Sequence, residues 1–168
     1  SPAAWCEMVK DIVAMANSVG GLVVICVLGV GQASSADIQA ALKLDPATLT
    51  DKVRKYTGVQ FGFLSLHDRL ARGRQVLVLE IGASPCPMPF MNVGTYSIAD
   101  NKQKTAFSVG QVYFRHGAKS EPGVSDDFRA FVDREVARQR EAWLGNIRKV
   151  VEAPTGSVVS VQAPTLDQ

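Results

Sequence analysis

The chain has 168 residues, 46% hydrophobic and 20% charged, a balance that fits one well-cored globular domain and excludes a disordered chain. Its formal net charge of +2 is too small to name a partner, so only local charge clusters can carry a binding argument. Cys6, Cys26 and Cys86 form no C-x-x-C pair, and His67 and His116 lack ligand spacing to them; the expectation is three reduced, buried thiols, no metal and no cofactor.

From the start of the chain, Trp5, Val9, Ile12, Val13, Ala16 and Val19 recur at helical spacing over residues 3 to 19. Gly20 and Gly21 end this helix, one of them in the left-handed cap conformation. "LVVIC" does not alternate and reads as a strand buried on both faces. The whole apolar run, Leu22 to Leu28, is much shorter than the ~20 residues of a membrane span. With no secretory leader visible, the expectation is a soluble, cytoplasmic protein.

"SADIQAALKL" is a candidate short helix. A firmer one starts at Asp45-Pro46, a capping residue followed by proline at the first helical position. It presents Leu49, Val53 and Tyr56 on one face and stops before Gly58. "VQFGFLSL" and "RQVLVLEI" read as two strands of a hairpin joined by "HDRLARG", an arginine-rich tip. "SPCPMPF" holds three prolines and is an ordered loop. Two more strands follow, "TYSI" and "FSVGQVYFR", separated by the polar "ADNKQK". From Ser125 the chain is helical again, with Phe128, Val132, Val136, Trp143 and Ile147 near helical spacing and Gln139 and Arg140 interrupting them.

The elements predict a mixed α/β fold: hairpins in a mixed sheet, packed by an N-terminal helix, a middle helix and a long C-terminal helix. Residues 1–151 form the domain, and 152–168, with two prolines and no helical period, form an extended tail or a docked edge strand.

The glycines of residues 16 to 34 pose the first functional question. Gly29 and Gly31 follow a strand, as a dinucleotide fingerprint requires, but its third glycine position holds Ser34. No G-K-[ST] occurs, which excludes a Walker loop. Tight turns at both ends of a buried strand account for every glycine. A nucleotide-dependent hydrolase using Gly29 to Ser34 is the rival reading.

Two stretches resemble the Schlafen-type AlbA domain. "DIVAMANSVGGLVVICV" is similar to its helix–glycine–strand signature, with Ala14, Ala16, Asn17, Gly20 and Gly21 at the matching positions. "QVYFRHGAKSEP" resembles its aromatic-x-R-x-G strand and turn, with Tyr113, Arg115, Gly117 and Pro122 in place. The resemblance spans roughly residues 7 to 135 and implies a mixed α/β module that binds nucleic acid; some members are labelled divergent ATPases. In the Schlafen branch, clustered carboxylates cleave structured RNA. Those positions depart here: "SPAAW" precedes the first helix and "VLGVGQ" follows the strand. The carboxylates that would hold a cation are therefore missing, and the expectation is a non-catalytic domain. Residues upstream of the chain are the one source that would restore a nuclease.

Two basic clusters carry the binding argument. The hairpin tip offers Arg69, Arg72 and Arg74 beside His67. The stretch from Asn101 to Lys119 contains Lys102, Lys104, Arg115, His116 and Lys119 with no acid at all. Arginine grips phosphate through two parallel bonds, and lysine adds a looser point charge. The expected partner is DNA or RNA, held with little sequence preference.

Each residue also has a plainer role. Charged hairpin tips are ordinarily solvated turns, and Arg115 has Glu80 as a candidate carboxylate partner. Of Tyr113 and Phe114, adjacent on one strand, one must leave the core or meet another layer; exposed, it would stack on a base. Asn17 is expected to brace the Gly20-Gly21 turn. Trp143 and the polar-interrupted last helix suit self-association, a third reading.

Overall fold

The computed structural model describes residues 2–25, 45–71, 74–99 and 102–151, and residues 155, 156 and 158. Cys26, the Gly29–Ser34 turn, the "SADIQAALKL" helix, Arg72 and most of the tail lie outside the described residues. The elements in chain order are α1 (Pro2–Asn17), β1 (Gly21–Ile25), α2 (Pro46–Thr57), β2 (Leu64–Ala71), β3 (Arg74–Ile81), β4 (Gly94–Ala99), β5 (Lys102–Phe107), β6 (Tyr113–His116), β7 (Lys119–Pro122) and α3 (Ser125–Val151). The mixed α/β class is as the sequence predicts. Packing divides the chain into two units, Ser1–Phe131 and Val132–Gln168. The first holds every described strand; the second holds most of α3.

In the first unit, β1, β3 and β2 form one antiparallel sheet in that order, while β4–β5 and β6–β7 are two separate hairpins. Because β1 and β2 are each antiparallel to β3, they run parallel to one another, and α2 belongs to the crossover between them. The sequence explains α2 from end to end. Asp45 Oδ1 accepts the Ala47 N–H at 3.0 Å, Pro46 occupies the first turn, and Gly58 closes the helix at φ +73°. Leu49 and Val53 are fully buried, and Tyr56 meets Phe107 edge-on.

The core forms where α1, α2 and β3 converge. Val9, Ile12, Val13 and Ala16 of α1 pack with Leu49, Val53, Leu79 and Ile81. Phe90 stacks on Phe107 at 3.8 Å between ring centroids. Helix α1 ends at Asn17, so Val19 lies beyond the helix and is exposed rather than part of its stripe. Gly20 takes φ +74°, and a Cβ there would sit 2.3 Å from the Ile81 carbonyl oxygen. Only glycine fits that turn.

Three strand expectations need correction. β1 alternates instead of being buried on both faces: Gly21, Val23 and Ile25 are half-buried, and Leu22 and Val24 are exposed. Among the described residues it is an edge strand paired on one side only, so its apolar residues do not all meet a second layer. The β2–β3 hairpin forms, but β2 runs through Ala71, which makes His67–Ala71 strand rather than tip. "FSVGQVYFR" is not one strand: β5 ends at Phe107, and the chain turns through Gly110 at φ +80° before β6 starts at Tyr113. "KQK", expected in the polar connection, is the first half of β5.

Candidate nucleic-acid interface

Helix α1 organises the basic stretch. Glu7 and Asp11 lie one helical turn apart and reach the two hairpins that follow about a hundred residues later. Glu7 accepts bonds from Lys10 of its own helix, from the Tyr96 hydroxyl at 2.6 Å and from Lys104 at 3.2 Å. These donors, led by Lys10 and Tyr96, hold the Glu7 carboxyl down at about 2. Lys104 is raised in turn by Tyr96 and Glu7, and its ammonium lies over the Tyr96 ring.

Asp11 performs the same task for β6. Its carboxylate accepts from Arg115 Nη1 at 3.1 Å and from the Ser120 hydroxyl at 2.6 Å. Arg115 also donates Nε–H to the Gly117 carbonyl, inside a turn that Gly117 closes at φ +58°. The partner of Arg115 is therefore Asp11, not Glu80; Glu80 lies 2.8 Å from His67 across the β2–β3 pair.

His116 is held from both sides. Its Nε2 lies 2.7 Å from Asp127 and its Nδ1 3.0 Å from Glu121. Both bonds favour the imidazolium and raise its pKa, Asp127 contributing most. Lys102 and Lys119 remain exposed. In space, then, the acid-free stretch is largely neutralised.

Neither aromatic of β6 is a stacking platform. Tyr113 and Phe114 are both buried. Tyr113 packs edge-on against Phe90, and Phe114 against Phe128 of α3. The second layer that receives Phe114 is the start of the last helix.

The β2–β3 hairpin is different. Arg69 stands exposed on β2 opposite Val76, and its guanidinium donates to the Asp68 carbonyl at 3.1 Å. It has no carboxylate partner among the described residues. Arg74 occupies the register position opposite Ala71, two residues from Arg69.

The motif residues prove to be fold determinants. Asn17 is fully buried and clamps three segments. Its Nδ2 donates to the carbonyls of Met88 and Tyr113 at 3.2 and 3.0 Å, and its Oδ1 accepts the Met88 N–H at 2.8 Å. The proline-rich loop is thereby ordered as expected, with Met88 and Phe90 inside. Gly21 opens β1 with Met15 Cε 2.4 Å from where its Cβ would be. Cys6 is buried, but Cys86 is exposed in that loop, against the expectation of three buried thiols.

An open cavity of about 380 Å³ lies beside Tyr96, lined by Pro2, Ala3, Thr95, Ser97 and Gln103. No group of three metal-ligating side chains occurs among the described residues, and no described helix is long and apolar enough to cross a membrane.

No protein-family model matches the chain, and no curated protein matches it. Among solved structures it is similar to the DIP2311 protein from Corynebacterium diphtheriae, at 16% identity and a TM-score of 0.45 over 73% of this chain. The match spans 21% of that protein, and at this level it carries no argument about fold or function.

Proposed function

We propose that the chain is a nucleic-acid-binding domain of the Schlafen-type AlbA kind, gripping phosphates through the β2–β3 hairpin. The observation that carries this reading is Arg69, an exposed strand arginine without a carboxylate partner among the described residues. The Arg74 position lies alongside it. A guanidinium whose fork is not already filled by a carboxylate can donate two parallel bonds to a phosphate. Arg115 fits the role poorly, because Asp11 and Ser120 already take its donors. Lys102 and Lys119 supply secondary point charges.

The test is fluorescence anisotropy with short DNA and RNA duplexes and single strands across a salt series. Changing Arg69, Arg72 and Arg74 together to alanine should weaken low-salt binding about tenfold or more and flatten the salt slope. Changing Lys102 and Lys119 should cost less. Absence of binding at low salt, or binding indifferent to the triple change, overturns the reading.

A further inference from the structure

Beyond Phe131, which is buried, helix α3 continues through the second unit with its large apolar side chains exposed. From Val132 to Gly145 every side chain is exposed or only partly buried, with Val132, Val136 and Trp143 at 58%, 41% and 76% exposure. In proteins most helical stability comes from packing an apolar stripe. Val132, Val136, Gln139 and Trp143 follow one another at intervals of four, three and four residues, and Val150 keeps the seven-residue repeat of Val136 and Trp143 in the sequence. That is the repeat of a two-helix seam, not of a solvated helix.

We infer that this stripe is a homodimer seam, in which α3 pairs antiparallel with α3 of a second copy. The flanking charges fix the occupant and the direction. Asp133 follows Val132 and Arg140 follows Gln139, so both lie on one flank of the stripe, seven residues apart. In an antiparallel pair like flanks meet. With Val136 level with Gln139 of the second copy, Asp133 of each helix faces Arg140 of the other, giving two symmetric ion pairs. Neither residue has an ion-pair partner among the described residues.

A parallel pair would instead offer Arg140 the opposite flank, where Glu135 stands. That carboxylate is already held inside its own helix by Arg138 at 2.9 Å and Arg134 at 3.7 Å. Side-chain size points the same way. The antiparallel alignment sets Val132 beside Trp143 of the second copy, small against large on both sides of the two-fold axis. A parallel one would place Trp143 against Trp143 and leave a thin Val132 layer. The axis falls between Ala137 and Arg138, the middle of Ser125–Val151. The stripes from Val132 to Trp143 then overlap for about 17 Å at 1.5 Å per residue. Gln139, which breaks the apolar pattern, lies next to the axis, where a polar seam residue favours one register over its neighbours.

Sedimentation equilibrium of the full chain over micromolar concentrations tests the seam. A dimer is expected, with Trp143→Ala raising its dissociation constant at least about tenfold. Asp133→Arg and Arg140→Asp should each weaken it, and the double variant should restore it. The charge variants are exposed changes that leave the fold intact, so the cycle stays informative if Trp143→Ala loses helix. A monomer at every concentration overturns the inference, as does a dimer indifferent to Trp143→Ala. A double variant no better than the singles also overturns it. So does a monomer whose Trp143 is buried in a Trp5→Phe background, which would mean that residues 152–168 cover the stripe.

Discussion

The strip from Lys102 to Lys119 and the β2–β3 hairpin carry similar basic residues in the sequence, yet the fold treats them in opposite ways. In the strip, Lys104 and Arg115 meet Glu7 and Asp11, carboxylates 97 and 104 residues away, and His116 lies between Glu121 and Asp127. In the hairpin, Glu80 faces His67, while among the described residues Arg69 bonds only a neighbouring carbonyl. A run of like charge along the chain therefore says little about a binding face until the acids of other elements are placed beside it. Two carboxylates one turn apart on α1 were enough to turn one cluster into structural glue.

Three measurements test this contrast. The largest effect belongs to Asn17, which ties the start of β6 to α1. Asn17→Ala leaves the Met88 amide and two carbonyls short of a partner in the core. Denaturant unfolding should show a loss of about 2–4 kcal/mol; a loss below about 1 kcal/mol would mean the clamp is not what seats the strip.

Next comes the arginine comparison by the same assay. Arg115→Ala removes three bonds from a half-buried guanidinium and should cost about 1 kcal/mol. Arg69→Ala should stay within about 0.5 kcal/mol. Equal costs would erase the distinction between the two regions.

The last measurement is the pH dependence, which should reside in the strip and its α1 partner. Glu7 has a folded pKa of about 2 against an ordinary 4.5. Its contribution is present above pH 4.5 and is lost as pH falls through 2. His116 is raised above its ordinary 6.5, so its contribution is full below 6.5 and fades as pH rises through the folded value. Both are complete together only between 4.5 and 6.5. Thermal melts across pH should show each limb, with Glu7→Gln removing the acid one and His116→Gln the other. Limbs that survive these changes would place the titration elsewhere.

Local chemistry made much of this fold legible. Asp45, Pro46 and Gly58 bracket α2 because capping depends on neighbours in sequence, and Gly20 announces the end of α1 for the same reason. The β2–β3 hairpin and the start of α3 were legible from period and polarity. What the sequence hid is long-range. Leu22 and Val24 read as buried because apolar character does not reveal whether a strand lies at an edge. "FSVGQVYFR" read as one strand because Gly110 resembles a tolerated interior glycine until its positive φ is known. At the candidate site, the exposure of Arg69 on a hairpin was legible from residue type and polarity, but the pairing of Lys104 and Arg115 with α1 was invisible. Glu7 and Asp11 gave only a faint signal, two acids spaced to share one face of a mostly apolar helix.

The Asn17 clamp also bears on how the first unit moves. Its amide joins positions 71 and 96 residues apart in sequence, so helix end, proline-rich loop and β6 share one polar group. None of the three can peel away without exposing the unmet bonds of another. Local opening is thereby replaced by a joint event, and residues 84–90, a loop by backbone geometry, should exchange their bonded amides on the timescale of the core rather than of the surface.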